Sequence, residues 1–287
     1  MDRIGGFTDP RAQQSFEHAY AALERLWPVE STVTDVATRF GPTRVRRSGA
    51  AGGLPLVLLH PLAGNGLGWH PFVADLAADR AVYALDTIGT AGGSVQTAPV
   101  RTGEDYAAWV DEVIAGLGIE RTHLLGYSEG AWHAALTAAH RPDRIASLVL
   151  GEPGSALARP PLSVLARMIW VGIRPTAANF ARFEEWMTPG VTLSEEEKAC
   201  ATASFGYRRR IPWVTPLSDD ELRRITTPTL ALFGSATVMG DPRAAAERLR
   251  VLPDLEVETY EGAGHGLLWQ RRDEVLDRIR EFLRARD

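Results

Sequence analysis

The fold is decided by residues 122–131, which read Thr122-His123-Leu124-Leu125-Gly126-Tyr127-Ser128-Glu129-Gly130-Ala131. The paired leucines indicate the end of a buried strand, and the Ala-rich segment 131–139 favours a helix. Between them stands Gly-x-Ser-x-Gly. A strand, a sharp turn and a helix with a serine at the apex form a nucleophile elbow. We expect glycines there because side chains would clash in so tight a turn, which also holds the Ser128 hydroxyl in the open.

The chain around this stretch alternates apolar runs with helical segments. Continuous apolar runs at 54–59, 81–85, 145–150 and 228–233 are typical of strands buried on both faces. Segments in which apolar residues recur at helical spacing, such as 103–117, lie between these runs. Alternating strands and helices predict an α/β protein whose sheet is mostly parallel and doubly wound, with helices on both faces.

The alternation stops between residues 154 and 216. Three helical stretches with many aromatic residues follow one another there, and no strand pattern separates them. We interpret this segment as a helical cap inserted into the core. The arginine run at 208–210 near its end is interpreted as solvated surface. The predicted organisation is an N-terminal helical segment at 1–32, an α/β core at 33–153 and 217–287, and a cap (lid) at 154–216.

Composition excludes several classes of protein. The chain has 287 residues, is 45% hydrophobic and carries a net charge of −5, so it lacks the basic character of a nucleic-acid-binding protein. No apolar run approaches the roughly 20 residues of a membrane span, and the first ten residues lack a secretory leader pattern. Cys200 is the single cysteine, and no metal-ligand spacing occurs. We therefore expect a cytoplasmic monomer or homodimer that acts on a small molecule, without metal, cofactor, membrane or nucleic acid.

Four features, which follow one another along the chain in the same order as in the family, resemble the α/β-hydrolase fold superfamily of the capped serine hydrolase type. They are the loop at His60-Pro61, Asp86 with its glycine-rich turn, the elbow at 126–130, and the glycine-rich segment 262–266 around His265. Each is weak alone, but the combination is specific. The resemblance extends from about residue 33 to the end of the chain.

The resemblance implies roles for individual residues. Ser128 would be the nucleophile and His265 the base that takes its proton, since a serine hydroxyl is otherwise a poor nucleophile. The backbone N–H groups of Glu129 and Leu62 would form the oxyanion hole. The family usually has His-Gly where this chain has His60 and a proline, but the donor falls one residue later. Asp86 would be a structural turn residue.

The acid of the triad departs from the family pattern. Most members carry an Asp after the strand that precedes the penultimate helix, and Thr237 stands at that site here. Glu152 ends the preceding core strand, where some members carry their acid, and a carboxylate there would face the catalytic crevice. Asp241 is the alternative acid, although Asp-Pro at a helix start is also explained as an N-cap. A chain with no triad acid is the third possibility.

The main functional hypothesis is a serine hydrolase that cleaves an ester, thioester or lactone of a small, largely apolar metabolite. The cap aromatics Trp170, Trp186 and Trp213 are predicted to bind it. An elimination or other tailoring reaction at the same Ser/His site is one alternative, and a binding protein that has lost turnover is another. A dinucleotide site near residue 64 is disfavoured, because Trp69 stands where the third glycine belongs.

Overall fold

The computed structural model describes residues 4–174 and 176–287; the first three residues of the predicted N-terminal segment lie outside this range. The strands are β1 (Gly6–Phe7), β2 (Ser31–Val36), β3 (Thr43–Ser48), β4 (Leu56–Leu59), β5 (Val82–Leu85), β6 (Thr122–Tyr127), β7 (Ile145–Gly151), β8 (Tyr207–Arg208), β9 (Thr229–Gly234) and β10 (Leu255–Tyr260). The α-helices are α1 (Pro10–Glu24), α2 (Val73–Leu76), α3 (Gly103–Gly116), α4 (Glu129–His140), α5 (Gly154–Leu157), α6 (Leu162–Ile173), α7 (Ala177–Met187), α8 (Glu195–Ser204), α9 (Asp219–Arg224), α10 (Pro242–Leu249), α11 (Leu267–Gln270) and α12 (Arg272–Arg284).

Eight of these strands form one sheet in the order β10-β9-β7-β6-β4-β5-β3-β2. β3 runs antiparallel to both of its neighbours, β2 and β5, and the other adjacent pairs are parallel. The prediction of a mostly parallel sheet is therefore confirmed. Its antiparallel edge is formed by β2 and β3.

Helices cover both faces of the sheet. The side chains of β4 show this directly, because Val57 and Leu59 join an apolar cluster with α3 and α4, whereas Leu56 and Leu58 join one with α2 and α12. Successive side chains of a strand point to opposite faces. The continuous apolar run in the sequence thus reflects burial on both sides, as in a doubly wound fold.

The carboxyl ends of the central strands meet at one edge of the sheet. β4 leads into the loop at His60, β6 into Ser128, and β7 into Glu152, and these three strands are direct neighbours in this order. The loop after β10 carries His265 to the same region. Parallel pairing brings these positions together from segments that lie far apart in the sequence.

The N-terminal segment packs against the cap segment. α1 contacts α8, and β1 pairs antiparallel with β8. Phe16 and Leu23 of α1 share a small apolar cluster with the buried Cys200 of α8. Tyr20 of α1 also donates a hydrogen bond to Asp86, whose carboxylate accepts the amides of two turn glycines, as expected for a structural turn residue.

Bilayer-spanning helices are not found in the described part of the chain. None of its helices has both the length and the apolar character needed to cross a membrane.

Candidate active site

Ser128 occupies a sharp turn between β6 and α4. Its backbone has φ 53° and ψ −113°, in the left-handed half of conformational space that favours glycine. A Cβ atom at Gly126 would collide with the carbonyl oxygen of Gly130, and one at Gly130 would collide with the carbonyl oxygen of Leu59. The expectation that side chains would clash at both glycine positions is confirmed.

Backbone strain is concentrated around this turn. Among the described residues other than glycine, positive φ angles occur at Ala63 (61°), Ser128 (53°) and Glu152 (50°). The three belong to the loop after β4, the elbow after β6 and the end of β7. Residues held in sparsely populated conformations cluster at functional sites. The strain therefore marks the same edge of the sheet that the sequence motifs indicate.

Ser128, His265 and Glu152 form one continuous line of contacts. His265 Nε2 lies 3.0 Å from Ser128 Oγ, and His265 Nδ1 lies 2.9 Å from Glu152 Oε2. The hydroxyl of Tyr127 donates to the carbonyl oxygen of His265 at 2.6 Å and so fixes the loop that carries the imidazole. A serine in contact with a base, and a base in contact with a carboxylate, is the geometry of an activated nucleophile.

Glu152 is held by two further donors. Only 2% of the residue is exposed, so its carboxylate must find partners within the protein. The Gly234 amide donates to Oε1 at 2.6 Å, and the Thr237 hydroxyl donates to Oε2 at 2.6 Å. Thr237 stands where most family members would carry their acid. The sequence shows only that a carboxylate is missing at this position, whereas the structure shows that the Thr237 hydroxyl binds the neighbouring Glu152 carboxylate.

Asp241 lies away from this line. It is exposed at the N-terminus of α10, where its carboxylate accepts the Arg243 amide at 2.9 Å as a helix cap. Pro242 occupies the first turn of that helix. The structural explanation given for Asp-Pro thus accounts for Asp241, and Glu152 is the carboxylate that contacts His265.

The two expected oxyanion donors come from the elbow and from the loop after β4. Glu129 is the first residue of α4, where the helix dipole favours negative charge. Leu62 lies in the turn after β4. Within the described residues, neither amide donates to a protein acceptor. Both amides therefore remain available to a ligand oxygen.

His60 shapes the loop that carries Leu62. Its Nε2 accepts the Thr87 amide at 3.1 Å, which assigns the ring proton to Nδ1, 2.8 Å from the carbonyl oxygen of Pro61. Burial lowers the pKa of His60, so the neutral ring is favoured. The imidazole of His60 therefore connects the loop after β4 to the loop after β5 through its hydrogen bond with the Thr87 amide.

A pocket of about 150 Å³ adjoins the oxyanion loop and Tyr127. Most of its wall is apolar and is contributed by Leu23, Leu62, Trp69, Phe72, Phe180, Leu268 and Trp269, among others. Two carboxyl groups of the cap segment, Glu184 and Glu197, also line it. Burial raises the pKa of Glu184 to about 7. The charge of His265 opposes this rise, and the Glu197 carboxylate adds to it.

Comparison with known proteins identifies the family to which the chain belongs. The alpha/beta hydrolase family model matches residues 56–278. The chain belongs to the alpha/beta hydrolase family. The predicted resemblance, the fold class and the prediction of a hydrolase of this fold are confirmed.

Several relatives of this hydrolase match it over most of their length. It is 30% identical to carboxylesterase YbfK of Bacillus subtilis strain 168 over 285 residues, 93% of each chain. It is 31% identical to the uncharacterized carboxylesterase nap of the same organism over 271 residues, 91% of this chain and 89% of the relative. The crystal structures of carboxylesterase CesB (YbfK) and of naproxen esterase, both from Bacillus subtilis, superpose with TM-scores of 0.87 and 0.86 at 28% identity. They cover 95% and 94% of this chain and 98% of each of theirs.

The three tryptophans predicted to bind substrate are not among the residues that line the pocket of this hydrolase. Trp170 and Trp213 are 51% and 64% exposed, and the three rings stack against arginine side chains. Of the aromatic rings that do line the pocket, only Phe180 comes from the cap segment. A helical cap pattern shows that aromatic residues are present, but it does not show which way each one faces.

The interpretation of residues 208–210 as solvated surface is wrong for the middle arginine of this hydrolase. Arg208 and Arg210 are exposed, but the Arg209 side chain is 18% exposed and contacts Glu129 through two hydrogen bonds of 2.6 and 3.2 Å. Alternate residues of an extended segment face opposite sides. The larger apolar residues Tyr207 and Ile211, two positions before and after Arg209, were the signal that could have identified it as the inward residue.

Proposed function

We propose that this protein hydrolyses carboxylic esters through an acyl-enzyme on Ser128. His265 acts as the general base and Glu152 as the acid that orients it. The observation that carries the proposal is the line of contacts from Ser128 Oγ through both ring nitrogens of His265 to Glu152. The carboxylesterase relatives support the choice of an ester as the bond that is cleaved.

Acylation begins with proton transfer from Ser128 Oγ to His265 Nε2 as the oxygen attacks the ester carbonyl carbon. The carbonyl oxygen becomes an oxyanion between the amides of Leu62 and Glu129, and each such donor contributes about 3 kcal/mol to transition-state stabilisation. When the intermediate collapses, the C–O bond to the alcohol breaks and His265 Nε2 returns the proton to the leaving oxygen. The acyl group remains on Ser128.

Deacylation repeats these steps with water. His265 Nε2 removes a proton from the water as its oxygen attacks the acyl carbon, and the same two amides bind the oxyanion. The bond to Ser128 Oγ then breaks, and the proton on His265 passes to the serine. The carboxylic acid product leaves and the enzyme is regenerated.

Glu152 keeps the imidazole in the required tautomer. Its Oε2 accepts the Nδ1 proton of His265, which leaves Nε2 free to take the proton of Ser128. When His265 becomes positive during catalysis, the buried carboxylate stabilises that charge. The carboxylesterase relatives favour ester hydrolysis over the alternative of an elimination reaction at the same Ser/His site.

The proposed substrates are esters with a small, largely apolar group. A cavity of about 150 Å³ is the size that accommodates a benzene ring, and the wall is mostly aliphatic and aromatic. Larger substrates would have to extend out of the pocket. The naproxen esterase of similar fold, also described as a carboxylesterase, supports an ester as the substrate.

A fluorophosphonate probe and a nitrophenyl ester series test the proposal together. We expect the probe to label Ser128, and Ser128→Ala and His265→Ala to abolish both labelling and ester turnover. Ser163→Ala, which removes an exposed serine of α6, should change neither. A burst of nitrophenol in the first turnover would report the acyl-enzyme. If folded wild-type protein is neither labelled nor active on short-chain and aryl esters, the proposal is wrong.

A further inference from the structure

The residue that follows the nucleophile carries a buried charge. Glu129 supplies one of the proposed oxyanion donors through its backbone, and its own side chain is a carboxylate with 4% of the residue exposed. A negative charge next to an oxyanion hole opposes the negative charge that develops there, and it does so strongly where water is excluded. An active site with this sequence therefore requires a compensating cation.

Arg209 is that cation. Its guanidinium forms the two-pronged contact with the Glu129 carboxylate described above, and its other side packs against the Trp213 ring with 5.2 Å between the guanidinium carbon and the ring centroid. Such a paired geometry is the strongest arrangement of a guanidinium and a carboxylate. Burial raises the pKa of Glu129, but the charge and hydrogen bonds of Arg209, together with smaller contributions from His133 and His60, leave that pKa below its ordinary value.

The other groups around Glu129 do not replace Arg209. His60 comes from the loop after β4, His133 from α4 and Tyr106 from α3. Burial lowers the pKa of His60 and takes that of His133 to about 3, so neither imidazole carries a charge near neutral pH. Burial also raises the pKa of Tyr106, which keeps that phenol neutral.

The ion pair also joins two parts of the fold. Arg209 directly follows β8, which pairs with β1, in the segment that leads from the cap back to the core. Glu129 opens α4 in the core. The contact fixes this segment of the chain against the elbow at the point where the oxyanion forms.

We propose that Arg209 is a positioning residue of the esterase, one that neutralises the Glu129 side chain so that the Glu129 amide can stabilise the oxyanion. This inference rests on the proposed function. Arg209 acts through Glu129 and does not itself contact the reacting atoms. Arg209 is the middle one of three adjacent arginines. Its exposed neighbours Arg208 and Arg210 provide matched controls.

The test compares Arg209→Met with Arg208→Met and Arg210→Met in kcat and KM across pH 5–9. We expect Arg209→Met to lower kcat at least about tenfold with a smaller change in KM, because the loss concerns the transition state. Without its cation, the buried Glu129 should gain a raised pKa, so kcat should fall as pH rises through that pKa and the carboxyl ionises. The two control variants should keep the wild-type kcat and pH profile.

The double variant Glu129→Gln/Arg209→Met separates neutralisation of the Glu129 charge from a purely structural role of Arg209. Its neutral side chains no longer oppose the oxyanion, so we expect it to recover most of the lost kcat and to lose the falling limb at high pH. Thermal unfolding and titration of active sites with the fluorophosphonate correct each rate for folded enzyme. Should Arg209→Met fail to fold, the double variant decides alone, with kcat within about threefold of wild type expected.

Three results would overturn the inference while wild-type turnover is intact. They are a kcat profile of Arg209→Met that matches the Arg208→Met control, a loss that Glu129→Gln does not relieve, or a double variant below about a third of wild-type kcat. Failure of the proposed function would look different, since wild-type enzyme would then show no ester turnover.

Discussion

The Thr237 hydroxyl donates a 2.6 Å hydrogen bond to Glu152 Oε2, the same oxygen that contacts His265 Nδ1. Glu152 directly follows β7, and Thr237 follows the neighbouring strand β9. The position that holds an acid in most family members thus supports the proposed acid in this chain. A hydroxyl here is needed because a carboxylate beside Glu152 would place two negative charges in one buried site.

Thr237→Val should lower kcat/KM by about tenfold, with thermal stability reduced only slightly. A hydrogen bond to a charged group contributes about 1.5–3 kcal/mol, and its loss would let the Glu152 carboxylate rotate away from His265. Steady-state kinetics on a nitrophenyl ester measure the effect. Thr237→Ser keeps the hydroxyl and should retain most of the activity. Equal activity of the Val and Ser variants would show that this hydrogen bond does not support catalysis.

Glu152→Gln should lower kcat by a factor on the order of 10⁴, because an amide would not hold the imidazole in the tautomer that leaves Nε2 free. Asp241→Asn is the matched comparison. It replaces one N-cap residue with another, so we expect turnover close to wild type and a small change in stability. Near-normal turnover by Glu152→Gln, or a severe loss in Asp241→Asn, would reassign the acid.

Gly126→Ala should prevent folding or lower the melting temperature severely, because the new methyl group would collide with backbone at the elbow. Backbone cannot yield as a flexible side chain does. Gly172→Ala, within helix α6, is the control, since a Cβ there meets open space. Alanine in that helix should stabilise the protein by about 0.5–1 kcal/mol. Thermal unfolding of both variants would test the argument, and a soluble, stable Gly126→Ala protein would contradict it.

Glu184→Gln should change how stability depends on pH. The pKa of Glu184 is about 7 in the folded protein against an ordinary value of 4.5, so the unfolded chain releases this proton first. Its contribution is fully present below pH 4.5 and is lost as pH rises through about 7, by up to about 3 kcal/mol.

Relative to wild type, Glu184→Gln should therefore gain stability between pH 5 and pH 8. Denaturant unfolding at both pH values measures this gain. Glu185→Gln alters the exposed neighbour and should follow the wild-type curve. A stability difference between wild type and Glu184→Gln that is the same at both pH values would contradict a raised pKa.

Much of the fold follows from local pattern. The apolar run of β4 requires burial on both faces, and the glycines around Ser128 are required by the turn itself. These constraints act between residues that are close in the sequence, so they can be inferred without coordinates. The same holds for Asp241, whose position before a proline already indicated a helix cap.

The candidate site was predictable only in part. Ser128 and His265 stand in recognisable glycine-rich settings, whereas the role of Thr237 depends on the pairing of β7 with β9. The cap tryptophans were assigned to substrate because aromatic residues often line pockets, yet in the structure they stack on arginines. Long-range pairing and the orientation of cap helices are tertiary properties, and one sequence leaves them open.

The sequence by itself determined the elbow and the parallel sheet, because strand burial and turn sterics are local, and its resemblance to the family predicted the nucleophile and base. Tertiary structure decided which carboxylate contacts His265 and which of three adjacent arginines faces inward. Both answers depend on where neighbouring strands and the segment leading from the cap come together. A buried charge must be matched by the partner that folding brings to it, and at Glu129 that partner lies 80 residues away along the chain.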